Sequence, residues 1–302
     1  MSDEANNTAT AAGKQNTARR GFFRAARQYA PAIPLVVWLG VFVGLPLVYV
    51  FVLSFTTRGA TGLVEYRFTL DNYMRIFDPM YLRVFGQSLG MAVVTSALTL
   101  LIGYPFAYFT AKLKRMRFII LLLVMIPFWT SSLLRTYGWL VILQTQGVLN
   151  SLLQTLGLIN EPVRFMYNYG AVQLVTVYML LPFMILPIYN VVDKLDPAIP
   201  EASRDLGATR AQTFLRVTLP LTVPGIVGGV TLVFIPAVGL FFISDLIGGA
   251  KTTLIGGLIR DQFGAARNWP FGSALSVMMI LGVLLCVWVY SRLSKDSKGG
   301  LF

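Results

Sequence analysis

The sequence has no histidine. That excludes imidazole acid–base chemistry and imidazole metal ligation. Cys286 is its one cysteine, so no internal disulfide and no CxxC redox or zinc pair can form. Set in an apolar run, it reads as a small buried hydrophobe. Charge is scarce too: Asp, Glu, Lys and Arg make up 13% of the 302 residues, where soluble domains carry about 25%. No GxxxxGK[ST] occurs, so the chain is not expected to hydrolyse ATP itself. What fills the space is apolar, 56% of the chain, with a mean hydropathy of +0.67. This composition belongs to membrane proteins.

A helical span needs about 20 apolar residues to cross roughly 30 Å of hydrocarbon. Six stretches qualify: Leu35–Thr56, Phe85–Ala111, Phe118–Leu143, Ala171–Val191, Ile226–Ile243 and Ser273–Tyr290. The expected fold class is all-α, a polytopic membrane protein of six transmembrane helices. Phe85–Ala111 is longer than a span requires and should tilt or emerge from the bilayer. Pro46, Pro105, Pro127, Pro182 and Pro236 predict kinks.

Orientation follows from Lys and Arg. With the N-terminus inside, the inner segments hold five, four, four and three of the 25 basic residues, and the outer ones hold eight. Both termini are therefore expected in the cytoplasm. This asymmetry accounts for most of the +12 net charge, with lipid rather than nucleic acid as the implied contact. Residues 1–34 read as a disordered basic tail, 35–292 as the membrane domain and 293–302 as a second cytoplasmic tail. A signal peptide is not expected, because the first apolar run is too long and no small-residue cleavage site follows. Two long outer loops stand out, 57–84 and 244–271. The second is rich in glycine around an amphipathic piece, Leu254–Phe263. It reads as either a pathway element or an ordinary external loop.

Between the fourth and fifth spans lies a polar block, residues 196–220, containing EASRDLGATRAQTFLRVTLP. Asp196, Pro197 and Pro200 announce the start of a helix, and Glu201 suits its positive end. Gly207 is a natural stop. Thr209 and Gln212 have capping-box spacing and restart a helix that runs to Leu219 and meets Pro220. Apolar Leu206, Ala208, Phe214 and Leu215 are mixed with charges of both signs. Such a surface suits docking on a soluble partner better than resting on lipid, which would prefer a one-sided basic face.

The block resembles the EAA motif of ABC-importer permeases: Glu201-Ala202-Ser203, then Gly207, then Val217-Thr218-Leu219-Pro220. Ser203 stands for Ala and Val217 for Ile, without change of spacing. PFWTSSLLRTYGW (127–139), LPFMILPIY (181–189), GLFFISDLIGGAK (239–251) and NWPFGSA (268–274) are similar to spermidine/putrescine permeases of the PotB type, as are TLDNY (69–73) and GYPFAY (103–108). The resemblance implies the type I ABC-importer permease fold, with the block as a cytoplasmic coupling helix. Glu201, Ala202, Ser203, Arg204, Asp205, Gly207, Phe214, Leu219 and Pro220 would then meet an ATPase subunit. It also implies a second, homologous permease (PotC type), two ATPase subunits (PotA type) that hold ATP and Mg, and a periplasmic polyamine-binding protein (PotD type). This chain itself would bind no cofactor or metal and act as a non-catalytic subunit.

For substrate, Asp245 is singled out. It follows Phe241, Phe242 and Ile243 at the end of the fifth span. A carboxylate there is costly unless it faces a partner or water. Carboxylate plus aromatic rings suits an alkylammonium ion, each ring adding about 0.5–2 kcal/mol. Asp245 equally suits a loop cap or an ion pair with Lys251 or Arg260, and a pair that closes and opens would make it a switched site. Arg135, within the third span, reads as a snorkelling or interhelical hydrogen-bonding residue. Trp129 and Trp139 read as interface belt. Asp193 and Asp196 suit either a cytoplasmic exit or helix capping. Competing readings are a permease for another small cationic or metal-complex substrate, an ion-coupled carrier and a membrane-embedded enzyme. The last two lack the midplane charges and clustered ionisable groups they need.

Overall fold

The computed structural model describes residues 33–59, 64–113, 115–249 and 252–296, with side chains up to 292. The tail 1–32, Lys114, Lys251 and residues 297–302 lie outside the described residues. The chain divides into two units, Met1–Leu53 and Ser54–Phe302.

In the first unit, α1 (Ile33–Leu53) is an apolar helix of 21 residues. A π turn at Gly40–Gly44 precedes Pro46. The wider turn lets the chain pass a residue that cannot donate to the ladder.

The second unit opens with a short antiparallel hairpin, β1 (Thr57–Arg58) and β2 (Val64–Glu65), followed by α2 (Asp71–Ile76). The long helix α3 (Pro79–Lys112) starts where Asp78 accepts the Met80 N–H at 3.1 Å and Pro79 occupies the first turn. Its 34 residues span about 51 Å, well beyond the thickness of a bilayer core.

The third expected span is not one straight helix. α4 (Arg117–Met125) tightens into a single turn at Ile126–Trp129 and stops. Thr130 (φ −93°, ψ 152°) and Ser131 (φ −58°, ψ 139°) are extended. α5 (Ser132–Leu143) follows, and the segment Ser132–Thr155 leaves at 93° to Arg117–Trp129. Pro127 removes a donor from the ladder, and the Thr130 hydroxyl donates to the Pro127 carbonyl at 2.7 Å, which closes the turn locally. α6 (Val148–Thr155) is a short helix that the sequence reading passed over.

α7 (Tyr169–Val192) is the axis of this unit. It packs on α3 and on α9 (Arg210–Gly239), which also pack on each other. Of its apolar stretch 67% is buried, against 28% for α12 (Trp269–Asp296), which marks α7 as central and α12 as peripheral. Close approach depends on glycine: a Cβ at Gly225 would lie 2.9 Å from the Pro187 carbonyl oxygen, and one at Gly229 2.7 Å from Met184 Sδ. Small residues at helix contacts are how membrane bundles gain packing without a hydrophobic drive between helices. Buried hydrogen bonds add to it. Gln173 Nε2 donates to Thr95 Oγ1 (2.7 Å), Tyr104 and Thr222 share a hydroxyl pair (2.9 Å), and the Ile255 N–H donates to Ser88 Oγ (2.8 Å).

The fifth span departs from its expected bounds at both ends. The helix that restarts at Arg210 does not end at Pro220 but continues to Gly239, 30 residues in all. A π turn at Phe214–Thr218 precedes Pro220 at the same spacing as the one before Pro46, and absorbs the missing donor. At the far end Leu240 (φ −73°, ψ 75°) breaks the helix. α10 (Phe241–Ile243) and a π turn at Ser244–Gly248 follow, then α11 (Ile255–Phe263) and α12. α12 reaches Asp296, past the boundary at 292 read from sequence. Among the described residues, five helices are long and apolar enough to cross a membrane, or six with the bent pair counted as one span. The fold is all-α.

Candidate functional site

Two regions carry the sequence candidates, one at each end of α9. The first is the polar block. Asp196 Oδ1 accepts the Ala198 N–H at 2.9 Å and starts α8 (Ala198–Asp205). The helix closes with Gly207 N–H to Arg204 O (2.9 Å) and Ala208 N–H to Ser203 O (3.2 Å), around Gly207 at φ 89°. That is a Schellman cap, which needs a residue at ease in the left-handed region. The capping box then forms as its spacing predicts: Gln212 N–H donates to Thr209 Oγ1 (3.3 Å) and Thr209 N–H to Gln212 Oε1 (2.9 Å). Two helices thus meet in a tight knuckle.

The candidate residues of the block face two ways. Glu201, Ala202, Arg204, Asp205 and Gly207 are exposed. Beside them Leu206 stands 90% exposed, an apolar side chain at the tip of a polar turn. Ser203 turns inward to Thr213 (hydroxyls 3.3 Å apart). Phe214 also turns inward, edge-on to Tyr104 (5.7 Å) and Tyr108 (5.9 Å) of α3. Leu219 and Pro220 are half-buried within α9. Phe214 therefore braces the knuckle against the bundle instead of presenting it to a partner. The Tyr pair behind it went unnoticed in the sequence, although GYPFAY contains both.

The second region lies past Leu240. Asp245 sits not in the span but in the π turn beyond it, exposed. Its carboxylate pairs with Arg260 of α11. The same guanidinium bonds Asp261 (Nη2 to Oδ1, 2.7 Å) and lies 5.2 Å from the centre of the Phe241 ring. Phe242 meets Phe241 edge to face at 6.3 Å and packs toward the core. The set of Asp245, Phe241 and Asp261 thus holds an organic cation, Arg260 from the chain itself. Asp261 was missed by sequence reasoning; its position next to Arg260 was the signal. Lys251, the other proposed partner, lies outside the described residues.

Arg135 makes no interhelical hydrogen bond through its Nε or Nη1 among the described residues. It lies 4.3 Å over the Phe128 ring, across the bend, and its Nε and Nη1 are buried with no acceptor among the described residues. Trp129 is fully turned outward, whereas Trp139 is half-buried edge-on to Tyr178 (5.3 Å). Asp193 forms an ion pair with Arg117 at 2.6 Å, tying the end of α7 to the start of α4. Cys286 is half-buried beside Ser96 and Phe234 in an apolar cavity. No group of three or more potential metal-ligating side chains occurs among the described residues.

Comparison with known proteins agrees with this architecture. The family model for binding-protein-dependent transport system inner membrane components matches residues 9–298. The spermidine/putrescine transport system permease protein PotB of Escherichia coli (strain K12) is 47% identical over 264 residues, covering 87% of this chain and 96% of that one. The protein of the same name from Haemophilus influenzae is 45% identical, covering 85% and 91%. A solved bacterial ABC transporter that imports the acidic polysaccharide alginate shares the fold at a TM-score of 0.72 with 19% identity, over 92% of this chain and 98% of that chain. With a bundle of membrane-length helices, a family match across nearly its whole length and relatives close to half identical, this chain belongs to the binding-protein-dependent transport system inner membrane components, a family of multi-pass permeases.

Proposed function

We propose that this chain is the membrane-spanning permease subunit of an ATP-driven importer that moves polyamines, spermidine or putrescine, from periplasm to cytoplasm by alternating access. The observation that carries the reading is the capped knuckle of α8 and α9. Leu206 is offered bare at its tip while Phe214 anchors it to α3. In this reading the apolar tip and the exposed charges of both signs around it dock together on a protein partner. The occupant is the ATPase subunit, two copies per complex, each holding ATP and Mg. In this reading the knuckle faces the cytoplasm with both termini, as the Lys and Arg asymmetry supports. Asp245 then faces the periplasm, where a polyamine-binding protein delivers cargo to this chain and a second, homologous permease.

Substrate chemistry is supported by the identity to polyamine permeases and by the cation cradle. Asp245, Phe241 and Asp261 already hold a guanidinium. An ammonium group of a polyamine fits the same carboxylates and ring, so arriving cargo competes with Arg260 for them. Arg260 acts as a resident plug that leaves when a stronger or more numerous cation arrives. Uptake of labelled polyamines into membrane vesicles tests this. Asp245→Asn at matched expression is expected to reduce uptake at least tenfold, and Arg260→Gln to lower selectivity among cations. Undiminished uptake by Asp245→Asn removes that residue from the route. Failure of the wild type to import any polyamine removes the substrate assignment.

A further inference from the structure

Behind the knuckle lies a cavity of about 220 Å³, and we propose that it binds a phosphate-group anion. Its lining includes Tyr108 and Lys112 from the end of α3, Arg204 from α8, and Arg210, Thr213 and Thr218 from the start of α9. Three cationic side chains converge on one concavity, and no carboxylate lines it. None of the three makes an ion pair among the described residues, although Glu201 lies one turn from Arg204 on α8 and Asp205 directly after it. Lys112 Nζ rests 4.0 Å over the Tyr108 ring, which holds the ammonium at the rim. Thr213 and Thr218, 4% and 1% exposed, form part of the cavity wall, with the Thr213 hydroxyl 3.3 Å from that of Ser203.

Lys112, Arg204 and Arg210 are exposed, yet they are gathered around one small polar pocket, where like charges repel one another. An anion with several acceptor oxygens relieves that repulsion. A phosphate group suits the set better than a carboxylate. Its tetrahedral oxygens diverge, so they can meet the planar forks of Arg204 and Arg210 and also accept from an ammonium, and the free ion carries more charge as well. Lys112 ends the α3 helix, at the end of the bundle where the apolar stretch gives way to polar residues. The phosphate can therefore come from an anionic phospholipid headgroup or from free phosphate in solution. Either would link α3, α8 and α9 through one ion and clamp the knuckle to its span. The binding claim does not depend on the transport reading; only its effect on coupling does.

The test uses the purified transporter complex in nanodiscs of phosphatidylcholine, with or without phosphatidylglycerol, and Lys112→Gln and Arg210→Gln variants. Native mass spectrometry reads retained phospholipid. Thermal stability is read against inorganic phosphate, with chloride at matched ionic strength as control. Each variant is expected to weaken the bound phosphate group about tenfold, the loss of one charge-assisted hydrogen bond. Retained phosphatidylglycerol without a phosphate effect identifies the headgroup as the source. A phosphate-specific shift in phosphatidylcholine alone identifies the free ion. Retention and stability that are the same in wild type and variants overturn the proposal, as does an ATPase carboxylate found seated in the cavity of the intact complex. An unaltered melting profile of the variants in chloride separates lost binding from lost folding.

Discussion

Gly207→Ala isolates the backbone of the knuckle from its contacts. Gly207 sits at φ 89°, and a Cβ built there meets nothing within 4 Å. The substitution therefore causes no clash, and its whole cost is that of forcing an L side chain into the left-handed region, about 1–2 kcal/mol. That shifts the ratio of intact to unravelled cap by a factor of roughly 5–30. The loss is local, because the spans on either side are held by the α3, α7 and α9 contacts, to which Gly207 does not contribute. Asn tolerates the same conformation far better than Ala, so Gly207→Asn should retain most of the function. The assay is ATPase stimulation by substrate-loaded binding protein in proteoliposomes, alongside uptake and the thermal midpoint of the purified complex. The expected order is Gly, then Asn, then Ala for both stimulation and uptake, with the midpoint unchanged. Equal behaviour of Ala and Asn would refute the strain argument. A large fall in midpoint for Ala would show that the cap supports the bundle rather than the coupling.

Gly225→Ala should destabilise the bundle by about 1–3 kcal/mol, since its Cβ would fall 2.9 Å from the Pro187 carbonyl and 3.0 Å from Ile188 Cα, both backbone atoms that cannot swing aside; thermal unfolding in detergent measures it. Tyr104→Phe removes the 2.9 Å bond to Thr222, which keeps its own bond to the Leu219 carbonyl at 3.0 Å, so the loss should stay near ~0.6 kcal/mol in the same assay. Arg117→Gln breaks the pair with Asp193, whose side chains are 46% and 31% exposed, and should cost less than about 1 kcal/mol, with the difference from wild type shrinking as salt rises.

Much of this architecture could be read from residue order alone, because the membrane imposes a simple rule: long apolar runs become helices. The capping box at Thr209 and Gln212 and the stop at Gly207 were legible for a similar reason, since each depends on a few adjacent residues. The misplaced features depend on turns that hydropathy does not register. Pro127 announced a kink, but Thr130 and Ser131 are short enough to pass inside an apolar window, so the full 93° break after Trp129 was not legible. Pro220 looked like a stop, and only the widened turn before it lets the helix go on. At the candidate cation site, Asp245 was picked out by its cost near hydrocarbon. Its partner Arg260, which also bonds Asp261, comes from a helix ten or more residues later, and that pairing depends on how α11 folds back. Phe214 was assigned to the partner surface because a sequence gives no sidedness to a helix with a π turn in it.

The unbroken run of α9 has a mechanical consequence. At 30 residues it is about 45 Å long, and it carries the knuckle at one end and, across the single break at Leu240, the Asp245 turn at the other. A stiff rod pivoting near its base magnifies small angles: a tilt of about 5° sweeps its far tip through about 4 Å, more than the length of a hydrogen bond. In the proposed transport cycle, a nudge delivered at the base would move the Asp245 turn by that distance with no relay of side chains in between.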